Sequence, residues 1–150
     1  MNIRFAGRED IPRLLALYRH LDAEDRETPV ETAVANWERL KQYPGSDIAV
    51  GFVADEMVAT CTLVVVPNLT RGGTPYALIE NVVTHAGHRN KGYGKAVLAY
   101  AAEAAWRAGC YKIMLLTGSK RPQTLKFYQD AGFEQSKTGF QMRKIPVRAE

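Results

Sequence analysis

The stretch from Glu80 to Tyr100 constrains the fold of this chain more than any other part of the sequence. It begins with an apolar run typical of a strand, continues with a basic turn rich in glycine, and ends in a helical pattern. Glycines let backbone N–H groups approach an anion closely, and a helix start adds unpaired N–H groups and the positive end of its dipole. Three cations stand in the same turn, at Arg89, Lys91 and Lys95. The stretch therefore predicts a binding site for a pyrophosphate-bearing ligand.

Two well-known phosphate-binding motifs can be compared with this turn and excluded. A P-loop has lysine and then serine or threonine after its second glycine. Gly87 and Gly92 have the P-loop spacing, but Tyr93 and Gly94 follow them. A dinucleotide-binding fingerprint has a third glycine three residues after its second, and that position is Val97. The motif that remains is Arg-x-x-Gly-x-Gly.

The composition favours one ordinary globular domain over residues 1–150. The chain is 46% hydrophobic, which is enough for a core and argues against disorder. No apolar run approaches the ~20 residues that span a bilayer, and the N-terminus lacks the apolar core of a signal peptide. We therefore expect a cytoplasmic protein that does not bind membranes. The net charge of +4 is mild and the acidic residues are interspersed, so no nucleic-acid partner is expected either.

The cysteines and histidines show no metal-ligand spacing. Cys61 and Cys110 are far apart in sequence, and two buried thiols are favoured over a catalytic role. His20, His85 and His88 form no metal cluster by their spacing, so no metal is predicted. His85 and His88 flank the basic turn and could assist there, although surface or loop positions are the simpler interpretation.

The first part of the chain predicts one strand and two helices. Asn2 to Phe5 has the pattern of a short strand. Apolar residues then recur with helical spacing, and Pro12 is tolerated because it falls in the first turn. Thr28 to Glu31 has the pattern of a capping box with proline at the first helical position. The second helix would bury the stripe Val30, Val34, Trp37 and Leu40.

The rest of the chain predicts further strands that come to alternate with helices. The predicted strands are Asp47 to Val53 and Met57 to Val66, with a turn at Asp55 and Glu56 between them, then Ala77 to Thr84, Tyr111 to Thr117, and one or two strands within Phe133 to Lys144. The predicted helices are Gly94 to Ala108, stopped by Gly109, and Pro122 to Asp130. This order predicts an α/β fold with a mixed sheet and helices on both faces.

Two motifs in the correct order resemble the GNAT superfamily, the acetyl-CoA-dependent N-acetyltransferases. One is Arg-x-x-Gly-x-Gly, and the other is LKFYQDAGF from Leu125 to Phe133, which is similar to the family's aromatic helix ending in Gly-Phe. The resemblance covers nearly the whole chain and is weak before Asp47. It implies a mostly antiparallel central sheet, splayed open between the fourth and fifth strands, with acetyl-CoA as cosubstrate in the gap.

The resemblance also implies which residues hold the cosubstrate. Backbone groups of Val82, Val83 and Thr84 would pair with the pantetheine arm. Ser119 falls where relatives often have Asn or Ser near that arm, and its departure from Asn weakens the assignment. The alternative for the glycines is a tight turn without a ligand. The residues assigned to the pyrophosphate are Arg89, Asn90, Lys91, Gly92, Tyr93, Gly94 and Lys95.

Two residues are candidates for the proton transfers. Glu80 stands in the apolar run LIENVV, where a buried carboxylate would cost several kcal/mol unless it is paired or solvated. We expect it to face the site and act as general base, through a water, on the incoming amine. A structural carboxylate that caps a bulge is the alternative. By resemblance, Tyr128 is the acid that protonates the departing thiolate, and neighbouring Phe127 packs in the core.

The expected reaction is transfer of an acetyl group from acetyl-CoA to a primary amine of a small molecule or peptide by direct attack. The acceptor should be recognised by the segments His20 to Glu27 and Asn68 to Pro75. Their sequences do not identify which amine it is. Gly109 to Ile113 is similar to glucosamine-phosphate acetyltransferases, whereas Asn81 departs from their usual Asp. The competing class is a catalytically silent acyl-CoA sensor or scaffold. Because the family often pairs through its C-terminal strands, a homodimer is a further expectation.

Overall fold

The computed structural model describes residues 1–146 of the chain. The strands are Asn2–Phe5 (β1), Asp47–Val53 (β2), Glu56–Val66 (β3), Tyr76–Thr84 (β4) and Ile113–Leu115 (β5), and the helices are Ile11–Tyr18 (α1), Val30–Lys41 (α2), Tyr93–Arg107 (α3) and Pro122–Asp130 (α4). Short 3₁₀ turns occur at Arg8–Asp10, Arg71–Gly73 and Ala86–His88. The chain divides into two compact units, residues 1–115 and the part from Leu116 onward. The single domain expected over residues 1–150 stays a prediction, and residues 147–150 lie outside the described range.

The five strands form one mixed sheet in the order β1-β2-β3-β4-β5. The first four strands are antiparallel neighbours, and β5 is parallel to β4. The parallel pairing covers only Ala77 to Ile79 of β4, opposite Ile113 to Leu115. The rest of β4, from Glu80 to Thr84, continues past the end of β5 with β3 as its strand partner within residues 1–146. The predicted mixed sheet, open between its fourth and fifth strands, is confirmed.

Helices cover both faces of this sheet because successive side chains of the central strands point to opposite sides. On one face Ile48, Val50 and Phe52 of β2 form a core cluster with buried side chains of α1, and α2 packs against it through partly buried residues. On the other face Val97 of α3 lies over β2, and Gly51 gives it room there because a Cβ at Gly51 would come within 3.1 Å of Val97. The predicted helices on both faces are therefore present in the first unit.

A buried carboxylate ties the first strand to the first helix. Asp10 is fully buried and accepts hydrogen bonds from Arg4 at 2.5 and 3.0 Å, from the Gly7 N–H at 2.8 Å and from Arg13 at 3.2 Å. The hydrogen bond from Arg4 is the main cause that holds the pKa of Asp10 below its usual value. Since the charged form is the bonded form, this carboxylate stabilises the fold at neutral pH, and the contribution is lost as pH falls through its lowered pKa.

A β-bulge interrupts the pairing of β4 with β3. Thr60 pairs with Val83 and Thr62 pairs with Glu80, so β4 has one residue more than β3 in this interval. Asn81 adopts a φ of 50°, which is the left-handed region. Asparagine visits that region more readily than other non-glycine residues, and a bulge bends its strand and increases the local twist. The bulge therefore lies at the point where β4 has passed the end of β5.

Several element boundaries differ from the sequence prediction. Helix α2 begins at Val30 with Pro29 as its N-cap and no side-chain cap, so the predicted capping box of Thr28 and Glu31 is wrong. The turn between β2 and β3 is at Ala54 and Asp55, one residue earlier than expected.

At the other end of the chain, β5 is shorter than the predicted strand from Tyr111 to Thr117. The strands predicted within Phe133 to Lys144 are not formed, and that described segment has no regular secondary structure. Without a neighbouring strand among the described residues, this segment cannot form a ladder. Within the described residues, no helix has the length and apolar character needed to cross a membrane.

The bulge yields a test of the backbone at Asn81. We expect Asn81→Val to destabilise the protein by about 1–2 kcal/mol, because a β-branched residue resists a positive φ. That cost corresponds to a melting temperature lower by roughly 2–8 °C for a chain of this size. Asn81→Gly is the matched control, because glycine adopts this φ freely, and it should melt close to the unmodified protein. Equal melting temperatures for the two variants in calorimetry would contradict the strained position.

Candidate active site

The basic turn adopts a backbone that leads directly into α3. A 3₁₀ turn, Ala86–His88, follows β4, and Asn90 and Gly92 then take positive φ values of 61° and 81°. Gly92 is the N-cap of α3, and a Cβ built there would meet no atom within 4 Å. Glycine is therefore needed at Gly92 for its φ, and the space in front of it is open.

The start of α3 presents backbone donors without helical partners. The first helical N–H to find a partner within the turn is that of Ala96, which bonds the Gly92 carbonyl at 3.0 Å. The N–H groups of Tyr93, Gly94 and Lys95 precede it and have no carbonyl one turn back inside the helix. The first turn contains no acidic residue. Donors of this kind, together with the helix dipole, favour an anion.

Three cations belong to the same segment as these donors. The side chains of Arg89, Lys91 and Lys95 all belong to exposed residues. Arg89 is positioned by a hydrogen bond of 3.2 Å from its Nη2 to the His20 carbonyl. The segment predicted as the pyrophosphate site thus combines helix-start amides with exposed cations, and groups of both kinds are suited to a phosphate-bearing ligand by charge and by hydrogen bonds.

The open edge of β4 lies immediately before this turn in the chain. Val83 is buried in the core beneath α1, and Val82 and Thr84 are partly buried. Since the register with β5 ends at Ile79, the backbone of these three residues lies along the stretch of β4 that β5 does not cover. An exposed strand edge is a ready template for pairing with another extended group. The edge and the turn can therefore receive consecutive parts of one elongated ligand.

Glu80 differs from the sequence prediction in its environment. The sequence suggested a carboxylate buried in a central strand, but Glu80 is exposed at the bulge. Its partner across the sheet is Thr62, which hydrogen-bonds the Tyr18 hydroxyl of α1. Burial raises the pKa of Tyr18, so that hydroxyl stays protonated at neutral pH. The exposed position means that Glu80 needs no partner to offset desolvation and can contact water directly.

His20 is a site-adjacent residue that the sequence linked only to acceptor recognition. Its Nδ1 accepts the Ala86 N–H at 3.3 Å, and its ring lies 4.0 Å from the His85 ring. Burial, followed by the charges of His85 and Arg89, lowers the pKa of His20 below its usual value. The ring therefore remains neutral at neutral pH and can accept that bond. Local sequence patterns hold no signal for this contact, because the two segments are 66 residues apart.

The two segments assigned to acceptor recognition are ordered by their own polar side chains. In the first, Arg19 donates to the carbonyls of Ala23 and Asp25, so its guanidinium closes the turn after α1. In the second, the Asn68 amide donates to the carbonyls of Thr70 and Thr74 at 3.2 and 3.1 Å. Asn68 is thus engaged in holding its loop, and the Thr74 hydroxyl helps by donating to the Arg71 carbonyl at 2.7 Å.

The second unit contains the remaining two predicted site residues. Ser119 Oγ donates to Thr124 Oγ1 at 3.0 Å and accepts the Arg121 N–H at 3.3 Å, so it organises the entry to α4. Tyr128 is partly buried within α4, with its ring 5.0 Å from Phe127 and 6.3 Å from Phe133. Its role and that of Ser119 toward a ligand stay predictions.

The environment of both cysteines disfavours the thiolate form. Cys61 and Cys110 are both free and buried, as the sequence predicted. Burial raises the pKa of Cys61 to about 12, and it also raises the pKa of Cys110. The thiolate is the reactive form of cysteine, so neither side chain is suited to carry an acyl group.

The fold and this site define a mixed-sheet α/β protein in which an open strand edge leads into a turn suited to a phosphate-bearing ligand. Residues 12–133 match the family model described as Acetyltransferase (GNAT) family. The chain belongs to that family.

Individual relatives agree with the family match. A curated relative, glucosamine 6-phosphate N-acetyltransferase of Trypanosoma brucei brucei, is 29% identical over 89% of this chain and 88% of its own. A solved structure named "Putative acetyltransferase from Agrobacterium tumefaciens str. C58" is 46% identical, with a TM-score of 0.89, over 96% of this chain and 100% of that one. A transcriptional regulator from Bacillus halodurans C-125 is 29% identical, with a TM-score of 0.82, over 95% of this chain and 98% of that one.

The basic turn yields a test with two opposite readouts. We expect Lys95→Glu to weaken CoA binding at least about tenfold, because the carboxylate repels the pyrophosphate. The same carboxylate in the first turn of α3 should leave the fold as stable or slightly more stable, because it complements the helix dipole. Arg39→Glu on α2 makes the same charge change outside the turn and should bind CoA normally. Calorimetry that finds unchanged CoA affinity for Lys95→Glu would remove the turn from the binding site.

Proposed function

We propose that this protein is an acetyl-CoA-dependent N-acetyltransferase that transfers the acetyl group to a primary amine by direct attack. The observation that carries the proposal is the continuity of two features: the stretch of β4 beyond β5, and the cationic turn of unpaired N–H groups at the start of α3. Both belong to one segment of the first unit, and together they match an elongated ligand with a pyrophosphate at one end. Membership of the GNAT family supports this choice.

The residues present fit coenzyme A in charge and in hydrogen-bonding capacity. The N–H groups at the start of α3 and the side chains of Arg89, Lys91 and Lys95 would hold the pyrophosphate. The backbone of Val82 to Thr84 would hold the amide groups of the pantetheine arm, as one strand holds another. Ser119 is proposed to contact that arm as well. Bound in this way, coenzyme A supplies an activated thioester, and the protein orients it.

The protein's chemical contribution is then two proton transfers. An amine reaches the site mostly protonated at neutral pH, so one proton must leave before the nitrogen attacks the thioester carbonyl carbon. Glu80 is proposed to take that proton through a water, which its exposure permits. As the C–N bond forms, the C–S bond breaks and the sulfur leaves as a thiolate. Tyr128 is proposed to protonate this thiolate.

Direct transfer is supported over a route through an acyl-cysteine. That route would need a thiolate, but Cys61 and Cys110 are buried with raised pKa values. A direct route needs only that both substrates are bound together. Holding the amine next to the thioester converts a bimolecular encounter into an effectively intramolecular step, which by itself can supply several kcal/mol of the rate enhancement.

The acceptor is proposed to be a primary amine of a small molecule or peptide. The curated relative of Trypanosoma brucei brucei is named for glucosamine 6-phosphate, so that amino sugar belongs among the candidates. We further propose a homodimer, because Phe140 and Met142 of the irregular tail are almost completely exposed and Ile145 is largely so. Exposed apolar side chains that lie close together in the chain can form a contiguous patch, and such a patch is typical of a surface that a partner covers.

A catalytically silent acyl-CoA sensor or scaffold is the second candidate. The transcriptional regulator of Bacillus halodurans C-125 is a similar structure named for a regulatory rather than a catalytic role. Such a protein would bind acetyl-CoA without releasing CoA. The two candidates therefore differ in turnover and agree in binding.

The decisive experiment combines binding and turnover on the same preparation. The protein is incubated with acetyl-CoA and a panel of amines that includes amino sugars and their phosphates, polyamines, amino acids, aminoglycosides and peptides. Mass spectrometry then searches for an amine that gains one acetyl group in step with CoA release. Tight CoA binding without any acetylated product across the panel would favour the sensor, and the absence of CoA binding would remove both candidates.

Glu80→Gln should lower the rate while preserving the shape of the side chain. We expect the loss to shrink as pH rises, because more of the amine is then already neutral. Glu103→Gln, an exposed change on α3, is the matched control and should leave the pH profile unchanged. An unmodified rate for Glu80→Gln at slightly acidic pH, measured on the best acceptor, would remove Glu80 as the base.

Tyr128→Phe removes one hydroxyl and little volume. A thiol has a pKa of ~8.5 and a tyrosine of ~10, so the proton transfer is nearly balanced and a placed hydroxyl can assist it. We expect kcat to fall by about 10²- to 10⁴-fold, the usual range for general acid catalysis, with CoA affinity largely kept. The loss should be smaller for an acyl donor whose leaving thiol is more acidic. Tyr43→Phe, on an exposed tyrosine, is the control. If Tyr128→Phe keeps the full kcat while the chemical step limits the rate, Tyr128 is a packing residue and not the acid.

A further inference from the structure

A second group of titratable side chains lies beside the phosphate turn and has no part in the proposed reaction. Glu56 is the first residue of β3, His85 is the N-cap of the 3₁₀ turn after β4, and His88 is the last residue of that turn. Glu56 Oε2 lies 2.9 Å from His88 Nε2, and Glu56 Oε1 lies 3.7 Å from His85 Nε2. The three side chains offer ligand atoms that all lie within 4.8 Å of one another. The spacing of the histidines alone predicted no metal cluster, because Glu56 is far from them in the sequence.

We propose that Glu56, His85 and His88 bind one divalent transition-metal ion, with Zn²⁺ as the ion that fits best. Two imidazoles and one carboxylate are a donor set that Zn²⁺ accepts, with a fourth position left for water. Ligands at ~2.0–2.1 Å from a tetrahedral ion are ~3.3 Å apart. Glu56 Oε2 lies 2.9 Å from His88 Nε2, and all three ligand atoms lie within 4.8 Å of one another, so the side chains must move toward a common centre to complete the site. The harder ions Mg²⁺ and Ca²⁺ prefer more oxygen ligands than this group offers.

The two rings are already held in place by their neighbours. The His85 ring lies 4.0 Å from the His20 ring, and the His88 ring lies 5.3 Å from His85 and 6.0 Å from Tyr93. The side chain of His88 is 19% exposed and that of His85 is 31% exposed, whereas that of Glu56 is 53% exposed. Little rotamer freedom therefore remains for the imidazoles to lose. The exposed carboxylate supplies the negative charge and the route of entry.

Binding through the two Nε2 atoms places the remaining proton of each ring on Nδ1. His85 Nδ1 now accepts the N–H of Gly87 at 3.0 Å. This bond is lost when the proton moves to Nδ1, and the N–H of the exposed Gly87 is then left to bond water. His88 Nδ1 has no hydrogen-bond partner among the described residues, so no existing bond fixes its tautomer. When the ion binds, the hydrogen bond between His88 Nε2 and Glu56 is replaced by one bond from each of these residues to the ion.

The bound ion acts as a clamp between two loops. Glu56 follows the turn that joins β2 to β3, and His85 and His88 belong to the segment that enters the phosphate turn at Arg89. One ion held by both segments therefore fixes the entry to the phosphate turn from outside it. This role is structural and goes beyond the proposed acetyl transfer, since it requires no acceptor and no turnover.

Titration of the untagged full chain with ZnCl₂ at neutral pH tests the site. We expect calorimetry to find one equivalent bound with a dissociation constant of about 10 μM or tighter. At a hundredfold excess over that constant, the melting temperature should rise by about 5–10 °C. Co²⁺ should give the intense visible absorption of a tetrahedral site without a thiolate charge-transfer band, which distinguishes these ligands from the cysteines. Absence of binding by the unmodified chain up to millimolar ZnCl₂ would overturn the proposal.

Variants separate this site from adventitious binding. Glu56→Gln keeps the shape of an exposed side chain and should weaken Zn²⁺ binding at least about tenfold, and His88→Ala should abolish it. Asp55→Asn, the adjacent exposed carboxylate in the turn, is the matched control and should bind as the unmodified chain does. Glu56→Gln needs no rearrangement to fold, which circular dichroism will check. Unchanged Zn²⁺ affinity for folded Glu56→Gln would also overturn the proposal.

Discussion

The different extents of pairing on the two sides of β4 are the constraint on which the rest of this structure depends. On one side β4 is paired with β3 along most of its length, and on the other side β5 accompanies it for three residues only. Backbone polar groups that leave a ladder must find other partners. The edge that β5 leaves is therefore suited to an extended ligand. The bulge at Asn81 falls in this stretch, and the same strand then enters the cationic turn.

Features that are encoded within one short segment could be predicted from the sequence, whereas features that depend on distant segments could not. The strand of β4, the basic turn and α3 were predictable because glycines, cations and apolar periodicity occur within one short segment. Gly109 was assigned correctly as the stop of α3, and its φ of 84° shows why glycine is there. Asn81 was a readable signal of a bulge, since asparagine is the non-glycine residue most tolerant of that conformation, but the sequence interpretation gave it no backbone role.

The features that the sequence did not predict depend on contacts between distant segments. The exposure of Glu80 depends on the bulge and on where β5 ends, and no residue near Glu80 encodes the length of β5. The approach of Glu56 to two histidines requires the register of β3 with β4. The tail was predicted as one or two strands, but a strand needs a partner, and Phe140 and Met142 are almost completely exposed. Local periodicity indicates what a segment can form, and its neighbours decide whether it does.

The burial of both cysteines has a practical consequence for following the reaction. Thiol-detecting chromogenic reagents react with the thiolate form, which burial disfavours at Cys61 and Cys110 in the folded protein. Any rapid colour in a mixture with acetyl-CoA would then come from released coenzyme, with little background from the protein. A slow additional signal that approaches two thiols per chain would come from protein molecules that have unfolded. The same reagent would thus read turnover on one timescale and unfolding on another.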